Sequence, residues 1–188
     1  RAFGYSRNED VLRLFYTTRD LEMTDDMLDN RAQRRDVFGV LLAEEVADPE
    51  SGEILAEIAE ELTPELFSRL RRAGVSKVKV FSSGGGRSYE SPLLKNTLRK
   101  DPTANEEDAL RAIYSLLRPG EAPNVETARV ALERIFFNPK RYDLGRVGRY
   151  KINQRLGVDM PLGHTVLTQE DFIAIIRYLI DLHDGRGF

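Results

Sequence analysis

Basic side chains crowd the stretch from Asn138 to Gly157, NPKRYDLGRVGRYKINQRLG. Lys140, Arg141, Arg146, Arg149, Lys151 and Arg155 stand there against a single acid, Asp143, with Tyr142 and Tyr150 among them. Cations spaced this way suit a polyanion, because each ammonium or guanidinium that meets a phosphate releases condensed counterions. Arginine grips phosphate with a planar fork, and tyrosine stacks on an unpaired base. The plainer reading of the same pattern is a solvated basic face on an ordinary helix.

The element that must carry these groups is a helix. Asp143 reads as its cap, Gly157 as its stop, and Leu144, Val147, Ile152 and Leu156 as its apolar side. The cations then point outward. Helical spacing also marks the neighbouring segments. Asn105-Glu106-Glu107-Asp108 opens a helix with Leu110, Ile113, Leu116 and Leu117 inward, which Arg118-Pro119-Gly120 ends. Asn124 caps another, with Ala128, Ala131, Leu132, Ile135 and Phe136 as its buried face. Thr168 and Asp171 start the last, whose core side is Phe172, Ile175, Ile176, Leu179 and Ile180.

The first half of the chain has a different texture. Ser6 to Glu9 forms a capping box before a short helix from about Arg7 to Tyr16. Thr17 to Asp36 reads as a mixed-charge connection; its acids lack the spacing of a calcium loop. Val37 to Val46 and Ile54 to Ile58 flank the turn-rich Asp48–Glu53 and predict a hairpin. Thr63-Pro64-Glu65 begins a helix that Gly74 stops, and Val75 to Phe81 reads as a strand. Ser82 to Gly86 is a glycine-rich joint, without the Lys-Ser/Thr that a phosphate-cradling loop requires.

Composition narrows the classes. The 188 residues suffice for one domain with a core, or one domain with a small inserted module. There is no cysteine, so neither a disulfide framework nor a thiolate metal site is available, and only His164 and His183 offer imidazole. No signal peptide or membrane-length apolar run is visible. Residues 1–80 hold 12 basic and 17 acidic side chains, and residues 81–188 hold 16 and 14, so positive charge is local rather than general. No nucleophile elbow, Cys–His pair or zinc helix occurs, and no catalytic or metal-ligating residues are assigned.

FFNPKRYDLGRVGRYKIN (Phe136 to Asn153) resembles the FF-x-x-x-RYDL-x-x-VGR-x-K-x-N stretch of the bacterial RNA polymerase β subunit. The resemblance extends through NTLRKDPTANEEDALRAIYSLLRPGEAP (Asn96 to Pro123) and LTQEDFIAIIRYLIDLHDGRG (Leu167 to Gly187), and more loosely to GYSRNEDVLRLFY (Gly4 to Tyr16). It points to the lobe, or β2, domain. It implies one wall of the main DNA cleft, near the downstream duplex and the non-template strand. It also implies σ factor and other polymerase subunits as neighbours, a cytoplasmic setting without a membrane, no cofactor, and catalytic magnesium ligands on a different subunit. Both ends of the chain read as cuts in a longer polypeptide.

The expected fold is therefore α+β: a mainly helical lobe over residues 1–16 and 87–188, an inserted α/β module over 17–81, suspected as lineage-specific, and the joint at 82–86. Arg118, at the Pro-Gly corner, and Arg141, Arg149 and Lys151, in the family-like motif, are assigned to nucleic-acid contact. An internal ion pair is the alternative for each: Asp143 lies close to Arg141, and Arg149 is placed to brace a neighbouring helix. A rival from another class is a docking module that offers the basic helix and the acidic first half to transcription factors or σ.

Overall fold

The structure is a computed structural model that describes residues 1–28, 37–82, 93–121 and 124–185. It divides into two compact units, residues 8–96 and residues 1–7 with 97–188. The stretch expected as an insertion falls within the first unit, which also takes in the helix before it. The joint expected at 82–86 lies, past Ser82, outside the described residues.

In the first unit, α1 (Asn8–Phe15) leads into β1 (Thr17–Glu22). β1 contradicts the irregular connection expected from Thr17. It pairs antiparallel with β4 (Lys77–Ser82), from Thr17 opposite Ser82 to Glu22 opposite Lys77. Only Leu21 of β1 is buried, so local alternation could not reveal a strand. The partner supplies it: Val78 and Val80 of β4 are buried, and Lys77 Nζ reaches Asp20 Oδ2 across the ladder at 3.0 Å.

The predicted hairpin forms as a short pair, β2 (Val46–Ala47) with β3 (Ile54–Ala56). Its turn is organised by Asp48, whose Oδ1 accepts from Glu50 N at 2.8 Å and Ser51 N at 3.1 Å. α2 (Pro64–Arg72) starts as expected, with Thr63 Oγ1 accepting from Leu66 N at 3.2 Å. Leu42, Leu62, Phe67, Leu70 and Val80 are fully buried and form the centre of this unit.

α3 (Leu93–Lys100) spans the boundary between the units. The second unit then runs through α4 (Glu106–Leu117), α5 (Val125–Phe136), α6 (Gly145–Leu156) and α7 (Gln169–His183). Side-chain caps fix three of the starts. Asn105 accepts from Asp108 N, Asn124 from Thr127 N, and Thr168 and Asp171 form a complete capping box. α4 packs on α5 through Leu110, Tyr114, Ala128 and Leu132. Phe172 of α7 gathers Phe3, Phe136 and Phe137 at centroid distances of 5.3, 5.1 and 6.0 Å, so the Phe-Phe pair of the motif joins α5 to α7.

Five expected core positions of α4, α5 and α7 are outside, Leu117 and Ile135 among them. Leu116 is 83% exposed, Leu179 55% and Ile176 42%. α4 and α7 are apolar on more than one side, and only one side is covered within the unit. Among the described residues, no helix is long and apolar enough to cross a membrane.

Candidate nucleic-acid interface

α6 is set at both ends by glycines in the left-handed region: Gly145 as its first residue (φ +64°) and Gly157 as its cap (φ +66°). Asp143 Oδ1 accepts from Gly145 N at 2.7 Å, which places the expected capping acid at the entry although Leu144 is the formal cap residue. Leu144 N donates to Thr165 O at 2.8 Å, tying the entry to the loop before α7. Tyr142 fastens the same corner. Its hydroxyl donates to Phe136 O and accepts from Leu167 N at 2.8 Å. This tyrosine is a structural latch, and its polar end is spent.

Arg149 corrects the expected set. Its side chain is fully buried against Asp171, also fully buried. Nη1 donates to Asp171 Oδ1 at 2.7 Å and Oδ2 at 2.9 Å, Nε to His164 O at 2.8 Å, and Nη2 to Val166 O. Each guanidinium nitrogen is engaged and the side chain is fully buried, so Arg149 has no surface to offer a phosphate. Burial alone would push the Asp171 carboxyl up. Hydrogen bonds from Arg149 and Thr168 outweigh it and hold the group below its usual value.

The orientation of α6 follows. Arg149, Ile152 and Leu156 recur at three- and four-residue spacing and face inward, whereas Val147 stands off that stripe and is 70% exposed. The expected apolar side, with Val147 in it, was rotated from the real one. The spacing carries the signal, but the charge of Arg149 argues for an outward side chain in what is the inward row.

The remaining cations divide cleanly. The Arg155 guanidinium lies 5.0 Å from the Tyr178 ring centroid on α7. Lys140, Arg141, Arg146 and Lys151 are all exposed, and among the described residues none has a carboxylate within ion-pair distance. Tyr150 shares their surface at 54% exposure. Several cations elsewhere are matched, as in Arg129 with Glu106 at 2.6 Å, Lys79 with Glu44 at 2.6 Å and Lys95 with Glu61 at 3.2 Å, whereas Lys100 and Arg134 are exposed singly rather than as a cluster.

Arg118 is exposed, and its Nη1 lies 3.5 Å from Glu121 Oε1. The other oxygen of Glu121 accepts from the Tyr114 hydroxyl at 2.6 Å. These contacts hold Glu121 below its usual carboxyl value, the tyrosine being the stronger cause. The structure therefore leaves Arg141 and Lys151 unmatched, Arg118 loosely matched and Arg149 internal. Arg146 and Lys140, not assigned from the sequence, join the first pair by position. Among the described residues, no group of three or more His, Asp or Glu side chains could hold a metal ion.

Residues 65–187 match the family model described as RNA polymerase Rpb2, domain 2. The chain is 39% identical over 188 residues to the DNA-directed RNA polymerase subunit beta of Protochlamydia amoebophila, covering 98% of this chain and 14% of that protein. It is 37% identical to the same subunit of Methylacidiphilum infernorum, covering 98% and 14%. It is 34% identical to that of Chlorobium luteolum, covering 100% and 17%. The chain thus spans well under a fifth of the relatives it matches.

Proposed function

Because this chain belongs to the RNA polymerase Rpb2 domain 2 family, as part of a bacterial RNA polymerase β subunit, we propose that it forms a non-catalytic wall of the DNA cleft. In this role Lys140, Arg141, Arg146 and Lys151 meet the backbone of downstream or non-template DNA, and Arg118 makes a further contact. Polymerisation is carried by residues elsewhere in the enzyme. The observation that carries the proposal is the unmatched charge: four exposed cations on one segment with no carboxylate partner among the described residues. Unmatched cations keep their counterions to release, which is the source of backbone affinity.

The test is fluorescence anisotropy of a forked duplex titrated with the chain at several salt concentrations. The comparison is a variant carrying Lys140→Ala, Arg141→Ala and Lys151→Ala. Loss of three phosphate contacts makes the log–log salt slope shallower by about 3. Identical slopes would remove the DNA role from this surface.

A docking role for the same unit has its own support. Leu116 and Leu179 are largely exposed, and in this role neighbouring protein covers them. The partners are further parts of the β subunit, other polymerase subunits and σ factor, and the setting is the bacterial cytoplasm.

A further inference from the structure

The two tyrosines of the basic segment are built differently, and the difference is informative. Tyr142 spends its hydroxyl on Phe136 O and Leu167 N. Among the described residues the Tyr150 hydroxyl has no hydrogen-bonded partner, and the residue is 54% exposed. A helix places residues three and four apart on one face. Arg146 and Val147 thus stand one turn before Tyr150, and Gln154 one turn after. Lys151 sits one turn beyond Val147. All are exposed. An unpartnered helix face with two free cations complements a polyanion. Its centre, however, is an aromatic ring beside a 70%-exposed valine, which a row of phosphates would leave unused. A ring between cations is the arrangement that receives an unpaired base while the neighbouring phosphates meet the charges.

We infer that Tyr150 is a stacking platform for an unpaired base, with Arg146 and Lys151 on the flanking phosphates. The inference rests on the DNA-wall reading and adds that this face prefers a single strand to a duplex, whose bases have no free π-face. Arg149 beneath it fixes α6 through Asp171, so the ring is presented from a rigid element rather than a loop.

The experiment uses RNA polymerase assembled with the full β subunit and forked DNA, with 2-aminopurine placed at successive positions of the unpaired strand. One position should be quenched on binding. The quench should persist in Tyr150→Phe and Tyr150→Trp and vanish in Tyr150→Ala and Tyr150→Leu. An abasic site at that position should lower wild-type affinity by roughly 5- to 150-fold and leave the Tyr150→Leu variant unchanged. If Tyr150→Leu behaves as wild type at every position while the Lys140, Arg141 and Lys151 triple variant still weakens binding, the platform is overturned and the wall stands. If the triple variant has no effect, the wall itself fails.

Discussion

The Arg149 guanidinium and the Asp171 carboxylate form a fully buried ion pair, Nη1 to Oδ1 at 2.7 Å, that joins α6 to the first turn of α7. Asp171 is at once the partner of Arg149 and half of the capping box that begins α7. Removing either side strands the other in a dry interior. Arg149→Ala and Asp171→Ala should each cost about 3–5 kcal/mol, read as a lowered midpoint of urea unfolding. Arg149→Lys should also be destabilising, because an ammonium cannot reproduce the fork that serves Asp171, His164 O and Val166 O together.

Acid should expose the same dependence. Asp171 is held below its usual value, and Asp101 is lowered to about 2. For Asp101 burial pushes upward, and bonds from Thr103 and Arg1 overcome it. Carboxyls depressed in the folded state contribute stability that is complete above their unfolded pKa of about 4 and lost as pH falls through the folded value. Thermal melts should decline from pH 4 toward pH 2. Asp101→Asn should start lower at pH 7 and lose less over that interval. An equal decline in the variant would remove Asp101 as a contributor.

Glu121 restrains Arg118. Freed of the carboxylate, Arg118 gains a counterion to exchange. Glu121→Gln should therefore steepen the salt dependence of DNA binding by up to about one unit of slope. Tyr114→Phe should act in the same direction more weakly, because it loosens Glu121 without removing its charge. An unchanged slope in both variants would take Arg118 off the nucleic-acid path.

Much of this was legible in the residues. Thr63, Asn105, Asn124 and Thr168 announce their helices, since a short polar side chain before an apolar run has one use there. The Asp48–Glu53 turn is equally local. β1 was not legible, because its identity lies in β4, some sixty residues away, and not in its own alternation. Leu116 and Leu179 fall on apolar faces yet are exposed, because periodicity reports an apolar face without saying what covers it. The site divided the same way. Charge located the segment, but only packing could separate Arg149, which holds the helix, from Lys151, which stands outside it.

The exposed Leu116 and Leu179 give a further expectation. Leu116→Glu and Leu179→Glu should leave the stability of the chain within about 0.5 kcal/mol, as surface changes do. Both should weaken its incorporation into the assembled polymerase, measured by co-purification with the remaining subunits. A large loss of stability in the chain itself would instead place these side chains in its own packing.

The most direct test uses the absence of cysteine in the chain, which makes an introduced thiol unique. Lys151→Cys is mixed with forked DNA carrying a tethered thiol on the backbone of the unpaired strand, and disulfide formation is followed on a non-reducing gel. Glu53→Cys, on the acidic hairpin turn, serves as the comparison. A cationic wall at α6 predicts rapid cross-linking at position 151 that high salt suppresses, and little at position 53. Equal yields at the two positions, indifferent to salt, would contradict it.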